Sequence, residues 1–142
     1  MDLLPDVAPV TVNSFVFLAC TGFYDGVTFH RVIPNSAPFL AQAGDPTGKG
    51  NGNPGYHVPD EFSSQPFERG TLGMANTGTP NSGGSQFFIC YIDLPNLNGG
   101  YTAFGKVTAG MDVVEKLTPR DQSKDPGGPP GDKILEIIVQ EH

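Results

Sequence analysis

One cation and two amide side chains stand inside apolar runs of this 142-residue chain. Arg31 interrupts the run Phe-His-Arg-Val-Ile, and Gln42 follows two residues after Leu40 in Phe-Leu-Ala-Gln. Gln86 opens a third run, in which Phe88 should share its face because side chains alternate along a strand. A guanidinium or an amide among apolar side chains needs a hydrogen-bonding partner or a polar ligand. Arg31 alone would fit a surface residue, but together the three are candidates for a binding site.

Residue types for several common chemistries are missing or badly spaced. The three histidines, His30, His57 and His142, lack metal-ligand spacing, and no Ser-His-Asp or Cys-His set is indicated. His30 should point away from Arg31, which favours a hydrogen-bonded structural role over that of a catalytic base. One arginine, two glutamines and Asn76 among many phenylalanines suit the binding of an apolar group and its neighbouring carbonyls. No metal and no cofactor are expected.

Composition and charge set the class of protein. The chain has the length of a single domain (1–142), and its 19 glycines and 14 prolines indicate a loop-rich globular fold. A net charge of −7 argues against nucleic acid or an anionic membrane as the main partner, and no apolar run reaches the roughly 18 residues of a membrane span. Asp2 directly after Met1 leaves no basic segment for a secretory signal, so a cytoplasmic location is expected. Cys20 and Cys90 are expected to be buried, reduced thiols.

The predicted elements are short strands and two helices joined by long loops. A helix should begin at Pro9 and end before Gly22. A second helix is expected over residues 111–117, with Val113, Val114 and Leu117 facing inward. Alternating or apolar runs predict strands over residues 29–33, 39–42, 71–76, 86–92, 101–107 and 134–139. This pattern predicts a mainly β fold, a closed or nearly closed antiparallel barrel.

Five segments resemble those of the cyclophilin family of peptidyl-prolyl cis-trans isomerases. They are Phe-His-Arg-Val-Ile-Pro (29–34), Phe-Leu-Ala-Gln-Ala-Gly-Asp (39–45), Gly-Met-Ala-Asn (73–76), Gly-Ser-Gln-Phe-Phe-Ile (84–89) and Phe-Gly-Lys-Val (104–107). The segments come in the family's order and span nearly the whole chain. The resemblance implies an antiparallel barrel of eight strands capped by two α-helices, with the active site on one outer face. It also implies acceleration of rotation about X–Pro peptide bonds, without a cofactor.

The same resemblance implies roles for particular residues. Arg31 resembles the catalytic arginine. Gln42 and Gln86 resemble the polar groups that hold this arginine and the substrate backbone. Asn76, with Thr77 beside it, resembles the residue whose backbone binds the peptide, so the catalytic set is Arg31, Gln42 and Asn76. The residues that resemble the wall of the proline pocket are Phe39, Leu40, Phe88, Leu97 and Tyr101.

Three departures from the family's pattern lie around this pocket. Residues 35–38 replace what is usually a single residue before Phe39, so the loop leading to the pocket is longer. Tyr101 stands where many members have a histidine, and Asn96 where some have a tryptophan. Catalysis with an altered proline pocket is therefore expected. Binding of cyclosporin should be weak at best, because the tryptophan's hydrogen-bond donor is missing.

The chain also begins late relative to the family. Members usually carry a strand, a turn and most of a second strand before the segment that corresponds to residues 2–6. The barrel is therefore expected to lack its first strand and most of the second. Residues 134–139 would then have an open edge that invites pairing with another chain. A shortened chain and a genuine open barrel that dimerises through this edge are the alternatives.

Functions of different classes remain open. The first is a peptidyl-prolyl isomerase whose partners are proline-containing peptides and unfolded protein chains. The second is a module that binds such peptides but turns them over weakly or not at all, because the barrel is incomplete. An inert fragment is a third alternative. The complete set of Arg31, Gln42, Asn76, Gln86 and Phe88 favours the isomerase.

Overall fold

Seven short strands form one antiparallel sheet in the computed structural model, which describes residues 1–142. The strands are β1 (Asp2–Leu3), β2 (Arg31–Ile33), β3 (Leu40–Ala43), β4 (Thr71–Met74), β5 (Phe87–Cys90), β6 (Thr102–Lys106) and β7 (Arg120–Asp121). The helices are α1 (Pro9–Cys20) and α2 (Met111–Val114), with one 3-10 turn at Pro95–Leu97. Across the sheet the order is β1-β6-β4-β5-β3-β2-β7, which places β5 at the centre. The predicted mainly β architecture with two helices is confirmed, and no helix has the length and hydropathy needed to cross a membrane.

Helix α1 begins and ends where local chemistry favours it. Pro9 occupies the first turn, where its missing N–H would have no partner within the helix. The carboxylate of Glu61 accepts hydrogen bonds from the backbone N–H of Val10 (3.0 Å) and of Thr11 (2.8 Å). Beyond the last turn, Gly22 adopts a φ of +76°, a left-handed conformation that glycine takes readily. The helix predicted between residue 9 and Gly22 is therefore confirmed.

The inner face of the sheet packs against α1 to form the main core. Phe15 of α1 is 2% exposed, and its ring centroid lies 5.2 Å, 5.5 Å and 5.3 Å from those of Tyr24, Phe87 and Phe104. Aromatic pairs at such separations stabilise a core beyond the effect of buried area alone. The other buried members of the main core are Ala8, Val12, Leu18, Ala19, Ala43, Leu72, Met74 and Ile89. The opposite, outer face of the sheet takes no part in this main core.

The strand predicted over residues 134–139 is absent. Only its first residue takes part in backbone hydrogen bonds, accepting from the N–H of Gly26 and donating to the oxygen of Val27. Residues 135–142 form no backbone hydrogen bond within the chain, because no other strand lies beside them at the spacing that a ladder requires. The side chains of this segment that still pack against the main core are Ile134, Ile137 and Val139.

Two expectations about single side chains are also wrong. Val113 of α2 is 64% exposed, because Met111 and Val114, three residues apart, occupy the inward side of this single helical turn. Cys20, the last residue of α1, is exposed, whereas Cys90 in β5 is buried as expected. Neither cysteine forms a disulfide.

Phe29 faces the main core and does not share the face of Arg31. Its ring centroid lies 6.5 Å from that of Phe87. Alternation along the strand predicted over residues 29–33 would put Phe29, Arg31 and Ile33 on one face. It fails at Phe29 because the regular pairing of β2 begins only at Arg31. The strands β1 and β7 were not predicted, since two residues are too few to show a periodic pattern.

Candidate active site

Arg31, Gln42 and Phe88 lie side by side on the outer face of the sheet. Arg31 of β2 pairs with Gln42 of β3, and Gln42 pairs with Phe88 of β5. Residues directly opposite each other in antiparallel strands project from the same face. Three residues that the sequence predicted from separate runs are thus brought together on the side of the sheet away from α1.

The guanidinium of Arg31 has no hydrogen bond or ion pair within the chain, although the residue is half-buried. Arg120 on the neighbouring β7 behaves differently, because it is buried and donates a hydrogen bond to Oε1 of Gln122. A guanidinium carries five N–H donors in a planar arrangement. Those of Arg31 are available to a ligand.

The amides of Gln42 and Gln86 are joined by a hydrogen bond. Nε2 of Gln42 donates to Oε1 of Gln86 (3.0 Å), and Nε2 of Gln86 donates to the backbone oxygen of Gly52 (3.0 Å). These bonds orient both amides and leave Oε1 of Gln42 free to accept. A fixed acceptor near the free donors of Arg31 suits a peptide group, which offers both an N–H and a C=O.

An apolar patch centred on Phe88 lies beside these polar groups. Phe88 is buried, and its ring stacks on that of Phe67 (5.8 Å, 27°) and meets that of Tyr101 edge-on (5.6 Å, 89°). The other members of the patch are Phe39, Leu40, Ala75, Cys90, Leu94, Leu97 and Ala103. All five residues predicted for the proline pocket fall in this one cluster. Phe39, Leu97 and Tyr101 are only partly buried, so the patch presents apolar surface to a ligand.

Asn76 and Thr77 follow β4, where the chain leaves the sheet. The side chain of Asn76 is used locally, since Oδ1 accepts from the N–H of Gly78 (3.0 Å) and Nδ2 donates to the backbone oxygen of Gly100 (3.4 Å). The backbone N–H and C=O of Asn76 have no partner within the chain. Both residues line a polar cavity of about 170 Å³ together with the two glutamines, and Ala75 belongs to this cavity and to the apolar patch. Unpaired backbone at such a place suits an extended peptide.

A buried network fixes the ends of the strands that carry the glutamines. The hydroxyl of Tyr24 donates to the backbone oxygen of Ser85 (3.0 Å), and Oγ of Ser85 donates to the backbone oxygen of Gly44 (2.7 Å). Gly44 has a φ of +101°, and a Cβ atom there would lie 2.2 Å from the oxygen of Ser85, so the site requires glycine. Burial raises the pKa of Tyr24, which keeps its hydroxyl protonated and able to donate.

His30 and Asp45 are buried behind the site. Burial lowers the pKa of His30, and the nearby carboxylate of Asp45 offsets part of this effect. Burial alone would raise the pKa of Asp45, but hydrogen bonds outweigh it, among them those from the N–H (2.7 Å) and Oγ1 (2.8 Å) of Thr47, and the pKa is lowered. His30 is therefore a neutral, buried side chain near pH 7. The hydrogen-bonded role predicted for it is not confirmed, because its buried Nδ1 has no hydrogen-bond partner within the chain.

The unusual residues 35–38 form a tight turn that leads to the apolar patch. The N–H of Phe39 donates to the backbone oxygen of Ser36 (2.8 Å), and Phe39 adopts a φ of +56°. The N–H of Tyr91 then donates to the oxygen of Phe39 (2.9 Å). The longer loop therefore still leaves Phe39 in the patch.

Two residues of this region were missed by sequence reasoning. Phe67 lies in a loop between Pro66 and Glu68, where no periodic pattern marks a buried residue. Asp121 lies directly opposite Arg31 across β2 and β7. Its position follows only from the pairing of β7, an element too short to be seen in the sequence.

Comparison with families of known proteins settles the class of the chain. Residues 1–139 match the family described as cyclophilin type peptidyl-prolyl cis-trans isomerase/CLD. The chain belongs to the cyclophilin family. This cyclophilin is 54% identical over 134 residues to a peptidyl-prolyl cis-trans isomerase of Synechococcus elongatus. The aligned region covers 93% of this chain and 82% of the relative. It is 47% identical over 126 residues to peptidyl-prolyl cis-trans isomerase B of Bacillus subtilis. Here the aligned region covers 87% of this chain and 85% of the relative.

Solved structures place the cyclophilin in the same fold. A crystal structure of a cyclophilin type peptidyl-prolyl cis-trans isomerase of Cryptosporidium parvum matches with a TM-score of 0.83 at 35% identity, covering 99% of this chain and 89% of that one. The structure of that protein in the presence of the dipeptide Ala-Pro matches with a TM-score of 0.84 at 34% identity, covering 99% and 91%. The family, the fold class and the enzyme class predicted from the sequence are confirmed.

Proposed function

We propose that this cyclophilin accelerates cis–trans rotation about X–Pro bonds in proline-containing peptides and unfolded protein chains. The observation that carries the proposal is the unpaired guanidinium of Arg31 on the same sheet face as the Phe88 patch. The apolar patch suits a proline ring, and the free cation suits the peptide group beside it. The isomerases named among its relatives support the same reaction.

The chemistry that the site must perform is the twisting of an amide. Rotation about an X–Pro bond crosses a barrier of roughly 18–20 kcal/mol that amide resonance sets. In the twisted state the prolyl nitrogen becomes pyramidal and regains its lone pair. A guanidinium donor directed at that nitrogen binds the twisted state more strongly than the planar state, which is the condition for catalysis. Arg31 has this role in the proposal, and the reaction requires neither a nucleophile nor a cofactor.

The other residues hold the substrate while the bond turns. Gln42, the cross-strand neighbour of Arg31, and Gln86 bind the peptide group next to the proline. Neither glutamine forms a hydrogen bond with Arg31, although the resemblance to the family implied that they hold it. The unpaired backbone of Asn76, with Thr77 beside it, binds the extended segment that precedes the proline. The residues that hold the proline ring are Phe39, Leu40, Phe88, Leu97 and Tyr101. Holding the ring fixes one side of the bond, so that only the peptide on its N-terminal side turns.

Exchange NMR on an Ala-Pro test peptide tests this function. We expect the wild type to accelerate exchange and Arg31→Ala to lose about 10²–10³-fold in kcat, because one preorganised donor contributes about 2.7–4 kcal/mol. Arg69→Ala is the matched control, since Arg69 is an exposed arginine paired with Glu115. Exchange at the uncatalysed rate with the wild type would contradict the proposal. Peptide binding without acceleration would identify a proline-binding module instead.

We propose further that cyclosporin binds weakly to this chain. Asn96 is exposed in the 3-10 turn directly before Leu97, and it provides neither the ring nor the N–H of the tryptophan found in some family members. Inhibition of the exchange reaction by cyclosporin, measured for the wild type and for Asn96→Trp, tests this. We expect tighter inhibition of the variant, and equal inhibition of both proteins would contradict the explanation.

We also propose that the edge formed by residues 135–142 pairs with the same segment of a second copy. The backbone of this segment forms no hydrogen bond within the chain, and a strand edge of this kind can pair with another chain. Two of its apolar side chains, Leu135 and Ile138, are 84% and 72% exposed. In an antiparallel pairing centred on Ile137, Leu135 of one copy faces Val139 of the other, so that apolar residues lie opposite each other. Light scattering over a dilution series should show a dimer that Ile137→Pro abolishes. A monomer at every concentration would overturn the pairing.

A further inference from the structure

We propose that Asp121 is a positioning residue for Arg31, a fixed carboxylate that orients the guanidinium without bonding to it. This inference rests on the proposed function, because it takes Arg31 as the donor to the substrate. It adds a residue that resemblance to the family did not suggest and that the pairing of β7 places beside the site.

Arg31 has a cross-strand neighbour on each side. Gln42 of β3 lies opposite it on one side, and Asp121 of β7 lies opposite it on the other. Directly opposite residues of antiparallel strands have Cβ atoms about 4.5–5.5 Å apart on one face of the sheet. Strand β7 is held to this register, since the N–H of Gln122 donates to the backbone oxygen of His30 (3.1 Å). The Arg31 side chain thus projects between a neutral amide and an anion.

The carboxylate of Asp121 is itself held in place. Its Oδ1 accepts from the N–H (3.1 Å) and from Oγ (2.6 Å) of Ser123, and the side chain is only 13% exposed. The hydrogen bond from the Ser123 hydroxyl is the main cause that lowers the pKa of Asp121, and the charge of Arg31 contributes to the same direction. Asp121 is therefore ionised at neutral pH and has little freedom to move.

The arrangement orients Arg31 and leaves its donors free. No hydrogen bond or ion pair joins Asp121 to Arg31, so the guanidinium N–H groups remain available to the substrate. The attraction between the two charges still confines the guanidinium to one side, and a group oriented before the reaction needs less reorganisation in the transition state. Lys124, whose Nζ lies 3.9 Å from Oδ2 of Asp121, is 84% exposed and competes weakly because solvent screens it.

Two variants that each remove one negative charge distinguish the effect of a carboxylate opposite Arg31 from the effect of net charge alone. Asp121→Asn removes the carboxylate opposite Arg31, and Asp125→Asn removes an exposed one four residues further along. Exchange NMR with the Ala-Pro peptide gives kcat and KM for each. We expect Asp121→Asn to lower kcat about 3–10-fold with little change in KM, because orientation matters most in the twisted state. Asp125→Asn should leave both constants unchanged.

The salt dependence of kcat distinguishes an electrostatic effect from a structural defect, because the loss of kcat from a structural defect would not depend on salt. The difference in kcat between wild type and Asp121→Asn should shrink at 1 M salt, where the screening length falls to about 3 Å. Ser123→Ala keeps the charge but releases the carboxylate, so a smaller loss of kcat is expected. This variant decides the question if Asp121→Asn does not fold. Asp121→Glu should restore part of kcat.

The outcomes distinguish this inference from the proposed function. An active wild type with unchanged or increased kcat in Asp121→Asn overturns the inference alone, and an increase would mean that Asp121 competes with the substrate for Arg31. A loss of kcat that is independent of salt also overturns it. A wild type that gives no acceleration overturns the proposed function, and this inference with it.

Discussion

The hydrogen bond between Gln42 and Gln86 joins the ends of β3 and β5 at the site. Gln42→Leu keeps the approximate volume and removes this bond together with the free acceptor Oε1. Since a hydrogen bond contributes about 0.5–1.5 kcal/mol net, kcat/KM in the exchange assay should fall about 2–10-fold. Gln140→Leu is the control, because Gln140 is an exposed glutamine whose side chain has no hydrogen bond. An unchanged kcat/KM in Gln42→Leu would mean that this pair does not take part in recognition.

His30 gives the stability of the fold a pH dependence of defined sign. Burial lowers its pKa below the ordinary 6.5, so the folded state disfavours the charged imidazole. Above pH 6.5 the group is neutral in both states. As the pH falls through this value, the unfolded chain binds a proton first, and the free energy of unfolding declines until the folded-state pKa is passed. His30→Gln should flatten this decline in urea unfolding measured from about pH 7 to 5. The exposed His57→Gln serves as the control, and equal slopes for His30→Gln and wild type would contradict the assignment.

Sequence reasoning finds the site residues whose types are out of place. Arg31, Gln42 and Gln86 stand out in the sequence because a polar group in an apolar run needs a partner. Phe67 looked like one more apolar residue in a loop, and Asp121 like one more acidic residue in an acidic stretch. The position of both depends on contacts between distant segments, which no local pattern encodes. The structure places Phe67 and Asp121 beside the predicted residues, and the functional roles of all of them stay predictions.

At the scale of elements, α1 depends on a residue far away in the sequence. The N-terminal N–H groups of a helix have no intrahelical partner, and Glu61 accepts from two of them. Glu61→Ala should therefore lower the free energy of unfolding by about 0.5–2 kcal/mol, the range of other N-terminal capping losses. Urea unfolding measures this change. Glu136→Ala is the control, since Glu136 is exposed and unpaired, and an equal effect of both would refute a capping role.

The elements that the sequence predicted well are those that carry their own signals. Pro9 and Gly22 mark α1 at both ends, and β5 lies within an apolar run that begins after Gln86 and ends before Asp93. The segment 134–139 has an equally good apolar pattern but forms no strand, because hydrogen bonding in a strand needs a neighbour. A pattern predicts which residues are able to form a strand, whereas the tertiary fold decides whether a partner is present.

At the scale of the whole molecule, the sheet separates the largest apolar cluster from the patch around Phe88. The main core on the inner face is larger and includes α1, and the patch around Phe88 on the outer face is smaller and partly open. Because the residue faces alternate, Phe87 belongs to the inner cluster and Phe88 to the outer one. The same strand β5 therefore supports both the fold and the site. Stability should depend mostly on the inner cluster and substrate affinity on the outer one.

Two substitutions that shorten a side chain test whether the inner cluster governs stability and the outer patch governs substrate affinity. Phe15→Ala removes a ring that touches three others in the main core and should lower the free energy of unfolding by about 3–5 kcal/mol. The KM of its folded fraction should stay at the wild-type value. Leu97→Ala trims the half-buried wall of the patch and should cost about 1 kcal/mol of stability or less.

The same Leu97→Ala variant should raise KM about 5-fold, because about 1 kcal/mol of apolar contact with the proline ring is lost. Urea unfolding gives the stabilities, and exchange NMR at temperatures where both variants are folded gives KM. Similar stability losses in the two variants would contradict a division between the faces. So would a raised KM in Phe15→Ala with an unchanged KM in Leu97→Ala, because the ring would then bind elsewhere than on the outer patch.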